Sequence, residues 1–455
     1  MRHLFCGILF AGFGLACAAA DDLAAFVDVF TGTGGTGHAH PGASYPFGMI
    51  QAGPDTGTGD WKYCSGYQYA DRQVIGYSQN RLSGTGCTDL GDVQVLPFTG
   101  ARRPLPMASA IDKSSERGEP GFYSVVQEHD GVLVEIAAAK RAAIYRFTWR
   151  KPGARRVLVN LPFGEADQAG NTGNKTVDAE VRTVGSVGLE GCFRRKRTWV
   201  EGRVVAFAMA FDRPWCELQE LEKPEATAAP RYCATFDLRD GEPLLMEVSV
   251  CATDVAGARN NLADAIPDWD FESVRSAART AWNSLFARTT CEGSRLQKTN
   301  WYTSLYHLYL PPNDWADADE RTRGADGTVR ASAAGSAYTT LSLWDTFRAA
   351  QPWYTLATPD VAAGVVRSLL AQGREIGRIP VMSYGGRNID CMIGNHGVSV
   401  IVDAFLKSRA GELKGLDDID WEAAYQLVKE TLTKEHAGKI KEDWPVYDRY
   451  GYYPF

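Results

Sequence analysis

The first half of the chain carries the alternating apolar and polar pattern of β-strands. Short runs rich in β-branched and aromatic residues are separated by turn signals such as Asp130-Gly131. The clearest runs lie at 132–136, 143–149, 156–159 and 204–209. Several short strands at this spacing are typical of an antiparallel β-sandwich. We therefore predict a β-sandwich domain over residues 21–252.

The apolar period lengthens near Asp254, where the pattern becomes helical. Apolar residues recur every three or four positions at Phe271, Val274, Ala278, Trp282 and Leu285. This period predicts a helical linker over 253–290. Further helices are predicted at about 295–310, 341–350, 359–373, 397–407 and 420–436. The expected fold class is a multidomain β + α protein with a helical domain over 291–455.

Residues 1–20 have the order of a secretory signal peptide. Arg2 precedes an apolar, glycine-containing stretch, and the alanines at 18–20 fit the small-residue rule for cleavage. We expect cleavage after Ala20 and a periplasmic or extracellular protein. The alternatives are a transmembrane anchor, for which the stretch is short and interrupted by glycines, and a lipoprotein anchored to the membrane through Cys17. No other apolar run approaches spanning length, so no transmembrane span is predicted.

Composition and charge narrow the class of protein. The 455 residues, 45% hydrophobic and 23% charged, are typical of a globular protein with several domains. The net charge of −7 includes no basic cluster, so nucleic acid is not an expected partner. The 12 tryptophans add aromatic surface that suits sugars. Eight of the 10 cysteines follow the signal peptide, which is too few for a disulfide scaffold; we expect mostly buried thiols, with room for one or two disulfide bonds.

The glycine-rich segment 32–37 matches the GxGxxG pattern of dinucleotide-binding loops. That chemistry requires a helix directly after the loop, whereas Pro41 and Pro46 follow here, so a dinucleotide site is rejected. His38 and His40 can supply two metal ligands from an extended segment, but no third ligand lies at a fixed spacing. Structural hydrogen bonds are the preferred role for both histidines.

A cluster of acidic residues precedes Gly324. Its members are Asp314, Asp317, Asp319 and Glu320. Their spacing is wrong for an EF-hand calcium loop, so a solvated loop is the preferred interpretation and a calcium site is the alternative.

Two segments of the helical half concentrate polar chemistry. Segment 343–348 has the sequence LWDTFR, which places a carboxylate, a hydroxyl and a guanidinium within one helical turn. Burying Asp345 and Arg348 among apolar side chains is costly unless they pair or face a polar ligand, so both a structural Asp–Arg clamp and a ligand site are predicted. Segment 391–397, CMIGNHG, opens a helix with polar groups at its positive end. A sugar hydroxyl or an anion can bind there, and an ordinary helix cap is the alternative.

Together with several glycine-rich segments, these motifs resemble those of glycoside hydrolase family 92, secreted bacterial exo-acting α-mannosidases that need calcium. The matching segments follow family order at 27–35, 40–49, 64–67, 82–86, 89–92, 343–348 and 391–394. The resemblance implies an N-terminal antiparallel β-sandwich followed by an (α/α)6 barrel, with the sugar bound in a cleft between them. Twelve helices of about 11–12 residues, together with their short connections, need roughly 200 residues. Because 291–455 has only 165, only part of the barrel is expected here.

The resemblance also implies a mannose site. The terminal mannose is expected to contact Trp61, Asp345 and Thr346. Arg348 is expected to pair with Asp345 and aim its carboxylate, and His396 is the fifth substrate-binding candidate. The expected partner is a mannose-containing oligosaccharide of the N-glycan or mannan type, with α-1,2 linkage as a family-level expectation.

Inverting catalysis by two carboxylates about 6.5–9.5 Å apart follows from the same resemblance, with calcium as the cofactor that holds sugar hydroxyls. The resemblance implies that the segments that supply the acid, the base and the main calcium ligands lie beyond residue 455. We therefore expect no catalytic residue in this chain and leave the metal ligands unknown. Asp345, Glu375 and Asp390 match neither the acid nor the base segment. Residues 21–455 are not expected to hydrolyse α-mannosides alone, even with calcium.

Two other functions compete with α-mannosidase activity. One is a non-catalytic carbohydrate-binding protein that keeps the cleft without hydrolysis. The other is cleavage of the amide at the asparagine-linked end of an N-glycan, for which Cys64, Cys87 or Cys391 would act with His396.

Overall fold

The computed structural model describes residues 22–86, 89–163, 175–196, 199–221, 228–434 and 439–452. The expected signal peptide and Cys87 lie outside these ranges. Within them, a β-rich half precedes a helical half, as the apolar pattern predicts. No helix in these ranges has both the length and the apolar character needed to cross a bilayer.

The first half of the described chain contains sixteen strands, interrupted by short turns. In chain order they are β1 (Ala43–Ser44), β2 (Gln51–Asp55), β3 (Gln73–Val74), β4 (Gly76–Ser78), β5 (Gln94–Thr99), β6 (Ser109–Glu119), β7 (Phe122–Gln127), β8 (Val132–Ala138), β9 (Ala142–Trp149), β10 (Arg155–Asn160), β11 (Lys175–Val184), β12 (Gly188–Lys196), β13 (Arg203–Phe211), β14 (Glu217–Leu221), β15 (Arg231–Phe236) and β16 (Pro243–Cys251). Every pairing between neighbouring strands in this half is antiparallel.

These strands form two sheets that share one core. The seven-stranded sheet has the order β1-β2-β4-β5-β10-β15-β14, and the nine-stranded sheet has the order β11-β12-β13-β16-β9-β8-β7-β6-β3. Alternate side chains of each strand point inward. Leu158 of the first sheet and Phe147 and Phe207 of the second lie in a single buried cluster. The predicted antiparallel β-sandwich is confirmed.

The segment 253–290 forms two helices, α1 (Val255–Ala265) and α2 (Phe271–Phe286). Asp254 and Asp270 cap them by accepting hydrogen bonds from backbone N–H groups in the first turn of each helix. The apolar faces of both helices share a buried cluster with Ile144 and Ala208 on the outer face of the nine-stranded sheet. The segment is therefore a packed layer that covers the sandwich.

Seven further helices follow within the described residues. They are α3 (Arg295–Leu308), α4 (Leu343–Thr346), α5 (Ala350–Ala357), α6 (Pro359–Ile376), α7 (His396–Arg409), α8 (Trp421–Thr433) and α9 (Lys439–Tyr450). Four of the five predicted helices agree with α3, α6, α7 and α8 to within a few residues. The helix predicted at 341–350 is wrong in extent, because α4 is one turn and α5 starts afresh. Pro352 has no N–H to donate to the carbonyl of Arg348, so one helix cannot continue through this region.

Three two-stranded sheets interrupt the described helical half and were not predicted. They pair β17 (Asn313–Asp314) with β20 (Tyr338–Thr339), β18 (Arg321–Arg323) with β19 (Val329–Ala331), and β21 (Ser383–Tyr384) with β22 (Arg387–Asn388). Each strand has only two or three residues, too few to show an alternating pattern.

The segment 40–49 joins the two halves. Phe47 has a positive φ of 53°, and both of its backbone polar groups bind the helical half. Its N–H donates to the carbonyl of Tyr309 (2.9 Å), and its carbonyl accepts from the N–H of Asp314 (2.9 Å). The indole Nε1–H of Trp282 donates to the carbonyl of Ser44 (2.8 Å). These buried bonds fix the helical half against the sandwich.

Candidate functional site

Trp61 begins a short 3-10 helix, Trp61–Tyr63, in the loop after β2. The carboxylate of Asp60 caps this turn by accepting a hydrogen bond from the N–H of Lys62 (3.1 Å). The indole Nε1–H of Trp61 donates to the carbonyl of Gly86 (3.2 Å), and 46% of the residue is exposed. An indole that is held at its edge and open on its surface can stack on a ligand.

His38 packs directly against this indole. The two ring centroids are 4.3 Å apart and the rings are perpendicular, with an interplanar angle of 90°. His38 is buried, has a positive φ of 56°, and its Nε2 has no hydrogen-bond partner among the described residues. Burial lowers the pKa of its imidazole. Sequence reasoning considered His38 only as a metal ligand or a loop residue and missed its contact with Trp61.

His40 has a structural role, as preferred from the sequence. Its Nδ1 accepts a hydrogen bond from the N–H of Gly42 (3.0 Å), and its Nε2 lies 3.2 Å from Oε1 of Gln51. The first bond assigns the proton to Nε2, which then donates to Gln51. Burial lowers the pKa of His40 to about 4. Both ring nitrogens are therefore used within the fold.

Asp345 and Thr346 lie on the single turn of α4. The hydroxyl of Ser342 donates to the carboxylate of Asp345, and the hydroxyl of Thr346 donates to the carbonyl of Ser342 (3.0 Å). Asp345 is exposed and Thr346 is half-buried. The predicted clamp between Asp345 and Arg348 is wrong, since the guanidinium lies over the ring of Phe347, 5.0 Å from its centroid. Both charged groups face solvent, so neither needs the other to offset burial.

His396 is the first residue of α7 and stacks on Phe347. The ring centroids are 4.0 Å apart and the interplanar angle is 15°. A Cβ added to Gly394, whose φ is +78°, would lie 2.5 Å from Nε2 of His396, so glycine is required for this close approach. Burial, and then the positive charge of Arg348, lower the pKa of His396. The LWDTFR and CMIGNH segments therefore meet at this ring pair.

The five candidates form two groups in the structure. Trp61 lies with His38, whereas Asp345, Thr346 and Arg348 lie on the segment that His396 contacts through Phe347. No hydrogen bond, ion pair or ring contact among the described residues joins Trp61 to Asp345, Thr346 or His396. An open cleft between the two halves is lined by residues that belong to neither group.

Only part of the acidic run is a solvated loop: Asp319 and Glu320 are exposed, whereas the other two members are not. Asp314 and Asp317 are buried. The carboxylate of Asp314 accepts from Nζ of Lys140 (2.7 Å), and that of Asp317 accepts from Nδ2 of Asn261 (2.8 Å) and from the hydroxyl of Thr253. These bonds hold the loop against the sandwich and α1, and they explain why Asp314 and Asp317 are buried. The spacing of the acidic residues in the sequence does not encode these tertiary contacts.

A calcium ion, which the resemblance implies, needs a cluster of oxygen ligands. No three His, Cys, Asp or Glu side chains in the described ranges converge in a way that could hold a metal ion. Calcium prefers six to eight oxygen ligands, several of them carboxylates. The described residues do not fit this cofactor, so no chemical step is assigned to it here.

Glu375 and Asp390 are engaged in ion pairs. Glu375 accepts from Nη1 of Arg330 (2.8 Å) and from the N–H of Ala325 (2.6 Å). Asp390 accepts from the guanidinium of Arg378 and from a side-chain amide.

Cys391 gives no support to an amidase. Cys391 makes no hydrogen bond with His396, whose ring lies on Phe347. Six of the described cysteines, namely Cys192, Cys216, Cys233, Cys251, Cys291 and Cys391, are free thiols. The Cys–His arrangement that nucleophilic catalysis requires is therefore missing at Cys391.

Two family models match the chain in succession. The glycosyl hydrolase family 92 N-terminal domain matches residues 26–250, and the glycosyl hydrolase family 92 catalytic domain matches residues 257–455. An uncharacterized secreted glycosidase of Arthroderma benhamiae is 24% identical over 94% of this chain and 54% of its own length. The chain spans about half the length of this curated relative.

Solved structures share the same fold. A family GH92 α-mannosidase from Bacteroides thetaiotaomicron is 28% identical, with a TM-score of 0.85, over 93% of this chain and 58% of that chain. A structure of a GH92 α-mannosidase from the same organism in complex with mannoimidazole is 28% identical with a TM-score of 0.84, over 93% and 57%. A GH92 inverting mannosidase from Bacteroides thetaiotaomicron VPI-5482, 22% identical over 95% of this chain and 59% of that chain, has a TM-score of 0.82.

Proposed function

The chain belongs to glycosyl hydrolase family 92, and from this membership we propose that the whole protein is an exo-acting α-mannosidase whose described residues bind the terminal mannose. The similarity to a GH92 α-mannosidase over 93% of this chain supports the reaction class. The mannoimidazole complex of a second such structure supports a mannose-type substrate. The relative from Arthroderma benhamiae, described as secreted, supports action outside the cytoplasm.

The proposal rests on two exposed side chains, those of Trp61 and Asp345, whose chemistry complements that of a sugar ring. Trp61 offers an open indole face to the apolar C–H face of a sugar ring. Asp345 offers an exposed carboxylate whose oxygens accept hydrogen bonds from sugar hydroxyls, and charged acceptors form the stronger bonds. The stacked rings of Phe347 and His396 provide a rigid wall beside it. Together these groups bind and orient a sugar; none of them is assigned as the catalytic acid or base.

The linkage specificity, the stereochemical course and the calcium requirement are also part of the proposal. We assign α-1,2-linked mannose as the substrate linkage and inversion as the stereochemical course, and the inverting mannosidase that shares this fold is consistent with the second. The calcium requirement stays a prediction, since the described residues hold no ligand set for it.

The test is hydrolysis of α-1,2-mannobiose by the whole protein, followed by time-resolved proton NMR. We expect mannose to appear first as the β anomer, because a single displacement inverts the α configuration. Trp61→Ala and Asp345→Asn should each slow release at least tenfold. Tyr69→Ala and Asp240→Asn are matched controls, since Tyr69 is 53% exposed and the Asp240 side chain is 90% exposed. Initial release of the α anomer would contradict inversion, and equal losses in the controls would contradict the site.

A second candidate function is sugar binding without hydrolysis. It is kept because no carboxylate of the described residues is assigned as the catalytic acid or base. The expectation that residues 21–455 do not hydrolyse α-mannosides stays a prediction, and the same NMR assay tests it. Binding of the disaccharide by the whole protein, without release of mannose, would support this candidate over the α-mannosidase.

A further inference from the structure

The two rings that meet at Trp61 come from two different loops. His38 directly follows the glycine-rich segment 32–37, which turns so tightly that a Cβ on Gly37 would lie 2.2 Å from the carbonyl oxygen of Gly32. Only glycine allows this close approach. The glycine-rich segment therefore delivers the imidazole to the indole, and the contact of the two rings depends on how the two loops are joined.

The side chain of Gln68 joins these two loops. Its Nε2 donates to the carbonyl of Gly35 (2.9 Å) and to the carbonyl of Lys62 (2.5 Å). A side-chain amide has two N–H donors, so each carbonyl takes one. Gly35 lies three residues before His38, and Lys62 directly follows Trp61. One buried amide therefore bonds the backbone beside both rings.

The backbone fixes Gln68 in this place. Its N–H donates to the hydroxyl oxygen of Thr56 (2.9 Å), and the N–H of Thr56 donates to the carbonyl of Gly66 (2.8 Å), which closes the base of the loop that carries Trp61. Gln68 is only 6% exposed. A buried side chain fixed at both ends can order an exposed ring before a ligand binds, which lowers the entropic cost of binding.

We infer that Gln68 is a positioning residue that sets the indole of Trp61 against the imidazole of His38. It thereby orients the exposed indole face on which a sugar ring stacks, and it acts through the indole because it is itself buried. The part of this inference that concerns the sugar rests on the proposed function, whereas the placement of the indole does not.

The first measurement needs no ligand. It is fluorine NMR of the full chain labelled with 5-fluorotryptophan, in which the resonance of Trp61 is identified by its loss in Trp61→Phe. Gln68→Met keeps the length of the side chain and removes both donors. We expect the Trp61 resonance to shift or broaden in this variant, because the ring leaves its place against the imidazole. An unchanged Trp61 resonance would overturn the inference.

Gln79→Met is the matched control. Gln79 is also buried, and its amide bonds the carbonyl of Val93 (3.0 Å) and the hydroxyl of Tyr145 (3.0 Å), neither of which lies in the two loops. The loss of these bonds tests the general effect of removing a buried amide. An equal change of the Trp61 resonance in Gln79→Met would overturn the inference.

The second measurement is calorimetric titration with α-1,2-thiomannobiose, which is not hydrolysed. Gln68→Met should weaken binding at least tenfold. In a Trp61→Ala background, the same substitution should change the affinity less than twofold, because a residue that acts through the indole has no effect once the indole is gone. An equal loss in both backgrounds would overturn the positioning role, since a general loss of structure does not depend on Trp61.

Thr56→Val replaces Gln68→Met if the latter does not fold. It removes the oxygen that accepts from the N–H of Gln68, so the same two results are expected at smaller size, and their absence again overturns the inference. A protein in which Gln68→Met moves the Trp61 resonance, but whose wild type does not bind thiomannobiose, would contradict the proposed mannose site. That result would leave the placement of the indole by Gln68 supported.

Discussion

Arg203 of β13 binds two buried aspartates, and its removal should destabilise the protein strongly. Its Nη1 donates to Asp92 (2.6 Å) and its Nη2 lies 3.3 Å from Asp89, with all three side chains buried. Asp92 also contacts Arg195 (3.1 Å), whereas Asp89 has no other ion-pair partner in the described ranges. Arg203→Met would therefore leave the charge of Asp89 uncompensated.

The expected loss of stability follows from the number of ion-pair partners that Asp89 would keep. Removing one member of a buried ion pair typically costs about 3–5 kcal/mol, because the remaining charge stays desolvated. We expect Arg203→Met to lower the free energy of unfolding by about this amount. Arg203→Met/Asp89→Asn should recover part of the loss, since no unpaired charge remains. Arg288→Met is the control: its guanidinium, 42% exposed, pairs with Asp360 at 2.9 Å, and exposed pairs contribute about 0–1 kcal/mol.

The loss should also depend on pH. Burial raises the pKa of Asp89 even with Arg203 present, and removing Arg203 raises it further. A folded-state pKa above the unfolded value of about 3.9 means that the native state binds the extra proton, so stability increases as pH falls toward that value. The deficit of Arg203→Met should shrink between pH 7 and pH 5.

The assay is urea unfolding of the full chain, followed by tryptophan fluorescence and far-UV circular dichroism at both pH values. A loss below about 1 kcal/mol, or one equal to that of Arg288→Met, would refute the argument that this network is buried and charged. A deficit that grows as pH falls would refute the assignment of the unpaired charge to Asp89.

Two smaller predictions concern the candidate site. His38→Ala should alter the fluorescence of the indole beside it and weaken mannobiose binding about tenfold, because a buried ring that fixes the indole is lost, whereas His38→Phe should restore most of the affinity; equal affinity in wild type and His38→Ala would contradict this role. Gly394→Ala should displace the ring of His396 and cost about 1–3 kcal/mol in stability, since a Cβ there meets Nε2 at 2.5 Å and the backbone has φ +78°. A melting temperature equal to that of the wild type would contradict the latter prediction.

The long elements were predictable because their apolar period is set by the core. In α6, Pro359 stands at the first position and Gly377 adopts φ +78° at the end. Each boundary therefore has a sequence signal, a proline at the start and a glycine after the end. The two-stranded sheets of the helical half were not predictable, since strands of two or three residues are held by tertiary contacts. The extent of the helix at 341–350 was wrong because the effect of Pro352 outweighed the apolar pattern.

The candidate site was less predictable than the fold. The sequence placed Asp345 and Arg348 within one turn, and the clamp followed only from assuming that both are buried. The contact of His38 with Trp61 depends on a loop crossing, in which the N–H of Gly84 donates to the carbonyl of His38 (2.8 Å), and local patterns do not encode it. A usable signal did exist for the buried network: Asp89 and Asp92 lie directly before the buried strand β5, where unpaired charges are costly.

The central claim is that Trp61 and Asp345 bind the terminal sugar of an α-mannoside. Calorimetric titration of the protein with α-1,2-thiomannobiose tests it most directly, because binding is then measured without turnover. A hydrogen bond to a charged group contributes about 1.5–3 kcal/mol, so Asp345→Asn should weaken binding roughly tenfold to hundredfold at an unchanged melting temperature. Trp61→Ala should weaken it at least tenfold. Wild-type affinity in both variants would contradict the account.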